Sequence, residues 1–262
     1  MPDRQPQPRR GRLALAMLAA LVPLIPIVVA VVLSAGAAAT RGQGQRADQF
    51  TPVAEPDAHR ARPPAAGAVV ALVRRNTNMR SRPGGRPYAG VGARTEFGSP
   101  NAMWVIKRAG GWLGVISPLA GNGNVGWIPA ADVSLSHVRW QLRVSLSARR
   151  LTVLLGGRTL QRYRLAIGAP ASPTPTGRFA VTDRLHTGNP AGPYGCCILA
   201  LSADAPHAIQ GWTGGNRIAI HSTPETASIG QAVSHGCLRL TLAEGRWLLR
   251  HVPLGTPTLI RS

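Results

Sequence analysis

The chain has 262 residues, of which only 5% are aromatic while 30 are Gly and 23 are Pro, so short strands and many turns are expected rather than long helices, in one or two domains with some extra length. Thirty Lys and Arg stand against 10 Asp and Glu, a formal net charge of +20 that suits polyanionic surroundings such as anionic lipid or an acidic wall polymer. The arginines are scattered instead of gathered in one block and no nucleic-acid-binding motif is present, so no nucleic acid is expected as a partner.

Residues 13–33 contain no charged side chain, and 21 such residues are enough to cross a bilayer as a helix. The basic tail 1–12, with Arg4, Arg9, Arg10 and Arg12, should stay cytoplasmic and place everything after it outside. Pro23 and Pro26 would kink such a helix, which membranes tolerate. A cleaved signal peptide is the alternative, because Ala35-Gly36-Ala37 and Ala37-Ala38-Ala39 fit small-residue cleavage sites. The apolar run exceeds the usual signal core of about 7–15 residues, which favours an uncleaved single-pass anchor in the cell membrane. Either reading exports the remainder, as a secreted protein if the segment is cut.

Residues 40–67 are rich in Pro, Ala, Arg, Gln and Asp with few large apolar side chains, and they read as a disordered tether. From residue 68 to 137 the texture changes to short apolar runs around Val69-Val70-Ala71-Leu72-Val73, Trp104, Trp112 and Trp127, separated by turn signals such as Pro83-Gly84-Gly85 and Asn122-Gly123. Short strands at such spacing suggest a small barrel, with its tryptophans packed in the core.

The stretch 138–262 continues in strands. Residues 139–147 alternate, with Trp140, Leu142, Val144 and Leu146 on one face. Residues 151–155, Gly156-Gly157 and residues 158–167 read as a hairpin. Residues 178–183 and 195–202 are further strands, the latter apolar enough to be central, with a long loop at 188–195 between them. Thr241-x-x-Glu244 is a capping box that opens a helix through about His251.

Chemistry concentrates between Arg217 and Leu240. Residues 217–221 read as a strand ending at His221, and a loop with Pro224 and Gly230 leads to Ser234, His235, Gly236 and Cys237. A glycine between His235 and Cys237 suits a close backbone approach or a positive φ. A thiolate is the nucleophilic form of cysteine, and a histidine in hydrogen-bond reach can take the proton and return it to a leaving amine. Both His221 and His235 are candidates for that base, and spacing alone does not choose between them. His221, His235 and Cys237 are also zinc-ligand types, but the paired spacing of zinc sites is absent, so no metal is expected. Cys196 and Cys197 are adjacent on a strand and should point to opposite faces, at most one toward the core; both are expected to be reduced, with Cys237 the reactive thiol. A Cys197–Cys237 disulfide would extinguish that activity.

His221, a loop, and then Ser234-His235-Gly236-Cys237-Leu238-Arg239 resembles the active-site motif of the L,D-transpeptidase (YkuD-type) catalytic domain. Thr174-Pro175-Thr176-Gly177-Arg178-Phe179 and Gly255-Thr256-Pro257-Thr258-Leu259-Ile260 resemble the family's turn-and-strand and closing-strand motifs, so the likeness spans about residues 138–262. Residues 68–137 more weakly resemble bacterial SH3-like domains, which are often cell-wall binding modules. The fold implied is mainly β: an L,D-transpeptidase-type β-sandwich with one or two helices, a small SH3-like β-barrel and an N-terminal transmembrane helix.

The resemblance implies Cys237 as nucleophile and His221 as general base, with the Ser222 carbonyl orienting the imidazole. Backbone amides around Gly236 and Cys237 would hold the oxyanion, His235 would shape the pocket, and Ser234 and Arg239 would contact substrate. Arg239 stands where many members have Asn. The activity implied is formation of 3→3 peptidoglycan cross-links through a thioester, with stem peptides as donor and acceptor and no cofactor. Water as acceptor would give a carboxypeptidase, and loss of turnover a wall-binding protein. Inhibition by carbapenems is expected.

Overall fold

A computed structural model describes residues 50–55, 67–206 and 216–262. The expected cytoplasmic tail and anchor lie outside the described residues, and among the described ones no helix is long and apolar enough to cross a membrane.

Strand β1 (Thr51–Pro52) comes from the stretch expected to be a tether. The next seven strands form one antiparallel sheet: β2 (Ala68–Val73), β3 (Thr77–Arg80), β4 (Pro87–Val91), β5 (Ala102–Ala109), β6 (Trp112–Ile116), β7 (Gly126–Pro129) and β8 (Val133–Val138). Their order is β4-β3-β7-β6-β5-β2-β8. The β5–β6 connection is the two residues Gly110 and Gly111, both at positive φ, the backbone that a tight hairpin with matching twist demands. Ala71, Val73, Met79, Val91, Met103, Val105, Leu113, Val115 and Ile128 fill a core of their own. The tryptophans are not in it, contrary to expectation. Leu113 and Val115 take the inward positions of β6, alternation turns Trp112 outward, and its ring carries the Arg80 guanidinium at 5.1 Å.

The remaining elements are β9 (Trp140–Ser145), β10 (Arg150–Leu155), β11 (Arg158–Arg164), β12 (Ile167–Gly168), β13 (Gly177–His186), β14 (Cys197–Asp204), β15 (Arg217–Ser222), β16 (Ala232–Ser234), β17 (Leu238–Leu240), α1 (Leu242–His251) and β18 (Pro257–Arg261). One large sheet runs β11-β10-β9-β18-β13-β14-β15-β17, with β9·β18 and β15·β17 as its parallel pairs. The short strands β12 and β16 pair separately, in parallel. Side chains from both ends of the large sheet (Leu142, Leu151 and Val153 at one, Leu199, Ile220 and Leu238 at the other) share one core with Leu248 of α1, so the sheet folds over itself as a sandwich does. The capping box closes as the sequence predicts: Thr241 Oγ1 accepts from the Glu244 amide, and the Glu244 carboxylate accepts from the Thr241 amide.

Residues 50–55 are docked, which corrects the tether reading for this part; the rest of the stretch up to residue 66 lies outside the described residues. β18 pairs with the first half of β13 and leaves the second half as a free edge, which β1 fills through Thr51↔His186 and Pro52↔Leu185. Arg184, almost fully buried, donates to the carbonyls of Ala54 and Leu249 and pairs with Glu55 at 3.3 Å. Glu55 in turn accepts from the Leu254 amide. Composition hid this docking because it depends on polar groups far apart in the chain.

Candidate active site

The site follows from strand register. Ile198 pairs with His221 and Leu185 with Ile198, while His221 pairs with Arg239 across the parallel β15·β17 ladder. Cross-strand partners share a face, so Leu185, Ile198, His221 and Arg239 form one row on one face of the sheet. Two residues along each strand, in the next row of the same face, lie Asp183, Ala200 and Ala219, and the same register continued before β17 brings Cys237 beside Ala219. A backbone hydrogen bond from Ala219 to the Cys237 thiol fits that placement. The other face carries Leu199, Ile220 and Leu238 into the main core with α1. One face is thus spent on stability, and the other presents a thiol, an imidazole and a guanidinium together.

Cys237 is a free, half-buried cysteine. Burial pushes its thiol above the ordinary range; the Ala219 hydrogen bond and the nearby Arg239 charge work against that without reversing it. His221 is only 4% exposed, and its Nδ1 lies 2.8 Å from the Ser222 carbonyl oxygen. Burial pulls its pKa down to about 4; the Ser222 hydrogen bond opposes this and Arg239 adds to it. At neutral pH the pair therefore rests as thiol and neutral imidazole. His235, by contrast, is exposed.

The turn carrying Cys237 is held from inside. Gly236 has φ +109, as the sequence leads one to expect, and a Cβ there would come within 2.8 Å of Ile218 Cδ1. Ser234, expected to contact substrate, is buried: its hydroxyl donates to the Cys237 carbonyl at 2.5 Å and accepts the Gly236 amide at 3.1 Å. It staples the turn, and the Gly236 amide is engaged within it. Thr174 grips the same turn from outside, donating to the Gly236 carbonyl at 2.8 Å while accepting the Gly168 amide. Its Thr-Pro context marked it in the sequence, but its contact to the turn depends on tertiary folding. Arg239 is half-buried and pairs loosely with exposed Glu225 at 3.3 Å.

Cys196 and Cys197 correct the sequence reading. They are bonded to each other as a vicinal disulfide, and both are buried. The opposite-face rule does not apply because β14 begins only at Cys197, just after a turn at Gly195 with φ +56. Both of their amides donate to Ser222 Oγ, at 2.9 and 3.1 Å. Ser222 therefore contacts His221 through its carbonyl and the disulfide segment through its side chain. Sequence reasoning also missed Tyr194, whose ring lies edge-on to the His221 ring at 5.0 Å. Among the described residues no three His, Cys, Asp or Glu side chains gather as a metal ion would need.

Residues 139–260 match the YkuD family, described as the L,D-transpeptidase catalytic domain. The YkuD protein of Bacillus subtilis (strain 168) is 35% identical over 123 residues, 47% of this chain and 66% of that protein. L,D-transpeptidase 1 of Mycobacterium tuberculosis (strain ATCC 25618 / H37Rv) is 32% identical over 124 residues, 43% of this chain and 47% of that one. An L,D-transpeptidase structure from Mycobacterium smegmatis superimposes with a TM-score of 0.37 at 22% identity, covering 53% of this chain and 73% of that one. The chain thus spans less than two thirds of the length of the sequence relatives named here. The matched segment contains β9 to β18, the free Cys237 and the buried His221, so the part of the chain that matches the YkuD L,D-transpeptidase catalytic-domain model is the part that holds the candidate site.

Proposed function

We propose that this protein is a peptidoglycan L,D-transpeptidase that forms 3→3 cross-links through a thioester on Cys237. The observation that carries the reading is the placement of Cys237 and His221 on one sheet face, with Nδ1 of His221 at 2.8 Å from the Ser222 carbonyl. A carbonyl oxygen only accepts, so Nδ1 bears the proton and Nε2 keeps its lone pair for use as a base.

In the first half-reaction Nε2 takes the Cys237 proton as the sulfur attacks the carbonyl of the third stem residue, an L-centre of a diamino acid. The oxyanion is held by backbone amide, for which the Cys237 N–H is the donor we favour, since that of Gly236 serves Ser234. D-alanine leaves with the proton returned by His221, and the thioester remains. In the second half-reaction the side-chain amine of a neighbouring stem attacks the thioester, His221 accepts the amine proton, and the thiol is restored. The same sulfur would be acylated by carbapenems. Residues 13–33 would anchor the enzyme with this domain on the outer side of the membrane.

The test is mass spectrometry of the protein after incubation with a disaccharide-tetrapeptide, with Cys237→Ala alongside. An adduct on Cys237, D-alanine release and a dimer mass, all absent from the variant, are expected. D-alanine release without dimer would replace transpeptidase by carboxypeptidase. Neither adduct nor release would sink the enzymatic reading in favour of wall binding.

A further inference from the structure

The sheet face that carries Cys237 is not open to solvent on all sides. Three consecutive residues between β4 and β5, far outside the matched catalytic domain, press on it. Thr95 Oγ1 donates to the Asp183 carboxylate, Glu96 pairs with Arg217, and the Phe97 ring packs on Leu185, Ile198 and Ala219. Each partner belongs to the rows that hold His221 and Cys237 or lies two residues along the same strand. Phe50, just before β1, joins the same group: its ring is 6.5 Å from Phe97 and 5.8 Å from Tyr194, both edge-to-face. Cys237 packs against this cluster as well.

Neither phenylalanine is loosely held. The loop before Phe97 is folded back by the Thr95 carbonyl accepting the Gly98 amide and by Arg94 donating to the Gly98 carbonyl. Phe50 is fixed by β1 and by the buried Arg184. The two rings approach from the β13–β14 side of the thiol, whereas Arg239 lies on β17, beyond His221. The thiol thus has an apolar wall on its β13–β14 side and a cation two residues along its own strand line.

We infer that Phe50 and Phe97 are positioning residues of the transpeptidase site, seating the acyl donor's aliphatic surface beside Cys237 and keeping water from its thioester. The inference rests on the reading of Cys237 as the nucleophile. Two reactions compete for the thioester: attack by amine gives an amide and free thiol, and attack by water gives a carboxylic acid and free thiol. An apolar wall lowers the local activity of water and leaves a bulky, pre-bound amine favoured. The N-terminal sheet then governs the choice between cross-linking and hydrolysis.

The experiment uses the full chain with Phe50→Ala, Phe97→Ala and the double variant, each acting on disaccharide-tetrapeptide. The ratio of dimer to hydrolysed tripeptide should fall by about tenfold in the double variant, with KM for donor raised by a similar factor, in line with the loss of apolar contacts in a pocket. Phe97→Leu should restore most of the ratio, which a folding defect would not do. Alkylation of Cys237 by iodoacetamide should speed up severalfold in the alanine variants, as the wall opens. An unchanged product ratio and unchanged alkylation in folded alanine variants would overturn the inference. Absence of any adduct in the unmodified protein, with alkylation still responding to the variants, would instead remove the transpeptidase reading and leave the wall in place.

Discussion

Nδ1 of His221 and the carbonyl oxygen of Ser222 lie 2.8 Å apart, and this one contact sets the tautomer of the imidazole without a carboxylate. Burial lowers the imidazole pKa most, the Ser222 carbonyl opposes this and the Arg239 charge adds to it, so the value falls to about 4. The imidazole is therefore unprotonated through the whole neutral range.

The acid limb of the kcat/KM profile should accordingly lie near pH 4 instead of the ordinary histidine region near 6.5. Stability follows the same linkage. Between pH 6.5 and about 4 the unfolded chain binds a proton at His221 that the folded chain refuses, so stability falls as pH falls through that window. A shift of this size corresponds to roughly 3 kcal/mol across the full window. Denaturant unfolding at pH 7 and pH 4.5, with His221→Gln as comparison, reads the difference. A slope equally steep in the variant would assign the effect to other groups.

Gly236→Ala should sharply reduce turnover while leaving the sheet formed. The backbone at φ +109 is strained for any Cβ, and the added methyl would meet Ile218 Cδ1 at 2.8 Å. The turn would have to shift, moving the Cys237 amide and sulfur together, and a loss of at least about a hundredfold is expected by analogy with removal of an oxyanion donor. Single-turnover acylation and circular dichroism check the two halves of the statement. Activity within tenfold of the parent would show that the turn tolerates the change.

One thiol per chain, that of Cys237, should react with a maleimide under native oxidising conditions, and three should react after reduction and unfolding. Cys196→Ala with Cys197→Ala should lower activity by severalfold without touching Cys237, because both amides that hold Ser222 Oγ belong to the segment that the disulfide fixes. Peptide mapping would locate the label. Three reactive thiols in the native chain would argue against the bonded pair.

Much of the catalytic domain is written in short-range pattern. Alternation along β9, the glycine pair between β10 and β11, the Thr241–Glu244 capping box and the glycine at positive φ before Cys237 each depend on a few neighbouring residues. Those features were legible because backbone sterics and local hydrogen bonds act over one turn or one strand. The inward turn of Ser234 was not legible for the opposite reason: residue type carries no direction, and only the folded turn aims its hydroxyl at Cys237 and Gly236.

The sequence by itself determined the strand-rich class, the helix after Thr241 and the cluster of thiol, imidazoles and glycine between residues 217 and 240. Only the tertiary structure decided that His221 is buried and His235 exposed, that Cys196 bonds Cys197, and that Phe50 and Phe97 reach the face of Cys237. Those outcomes hang on register between β13, β14, β15 and β17 and on a single buried arginine, Arg184, which holds residues 50–55 in place. Local propensity carries no information about partners more than a hundred residues away, and burial and hydrogen-bond satisfaction across that distance supply it.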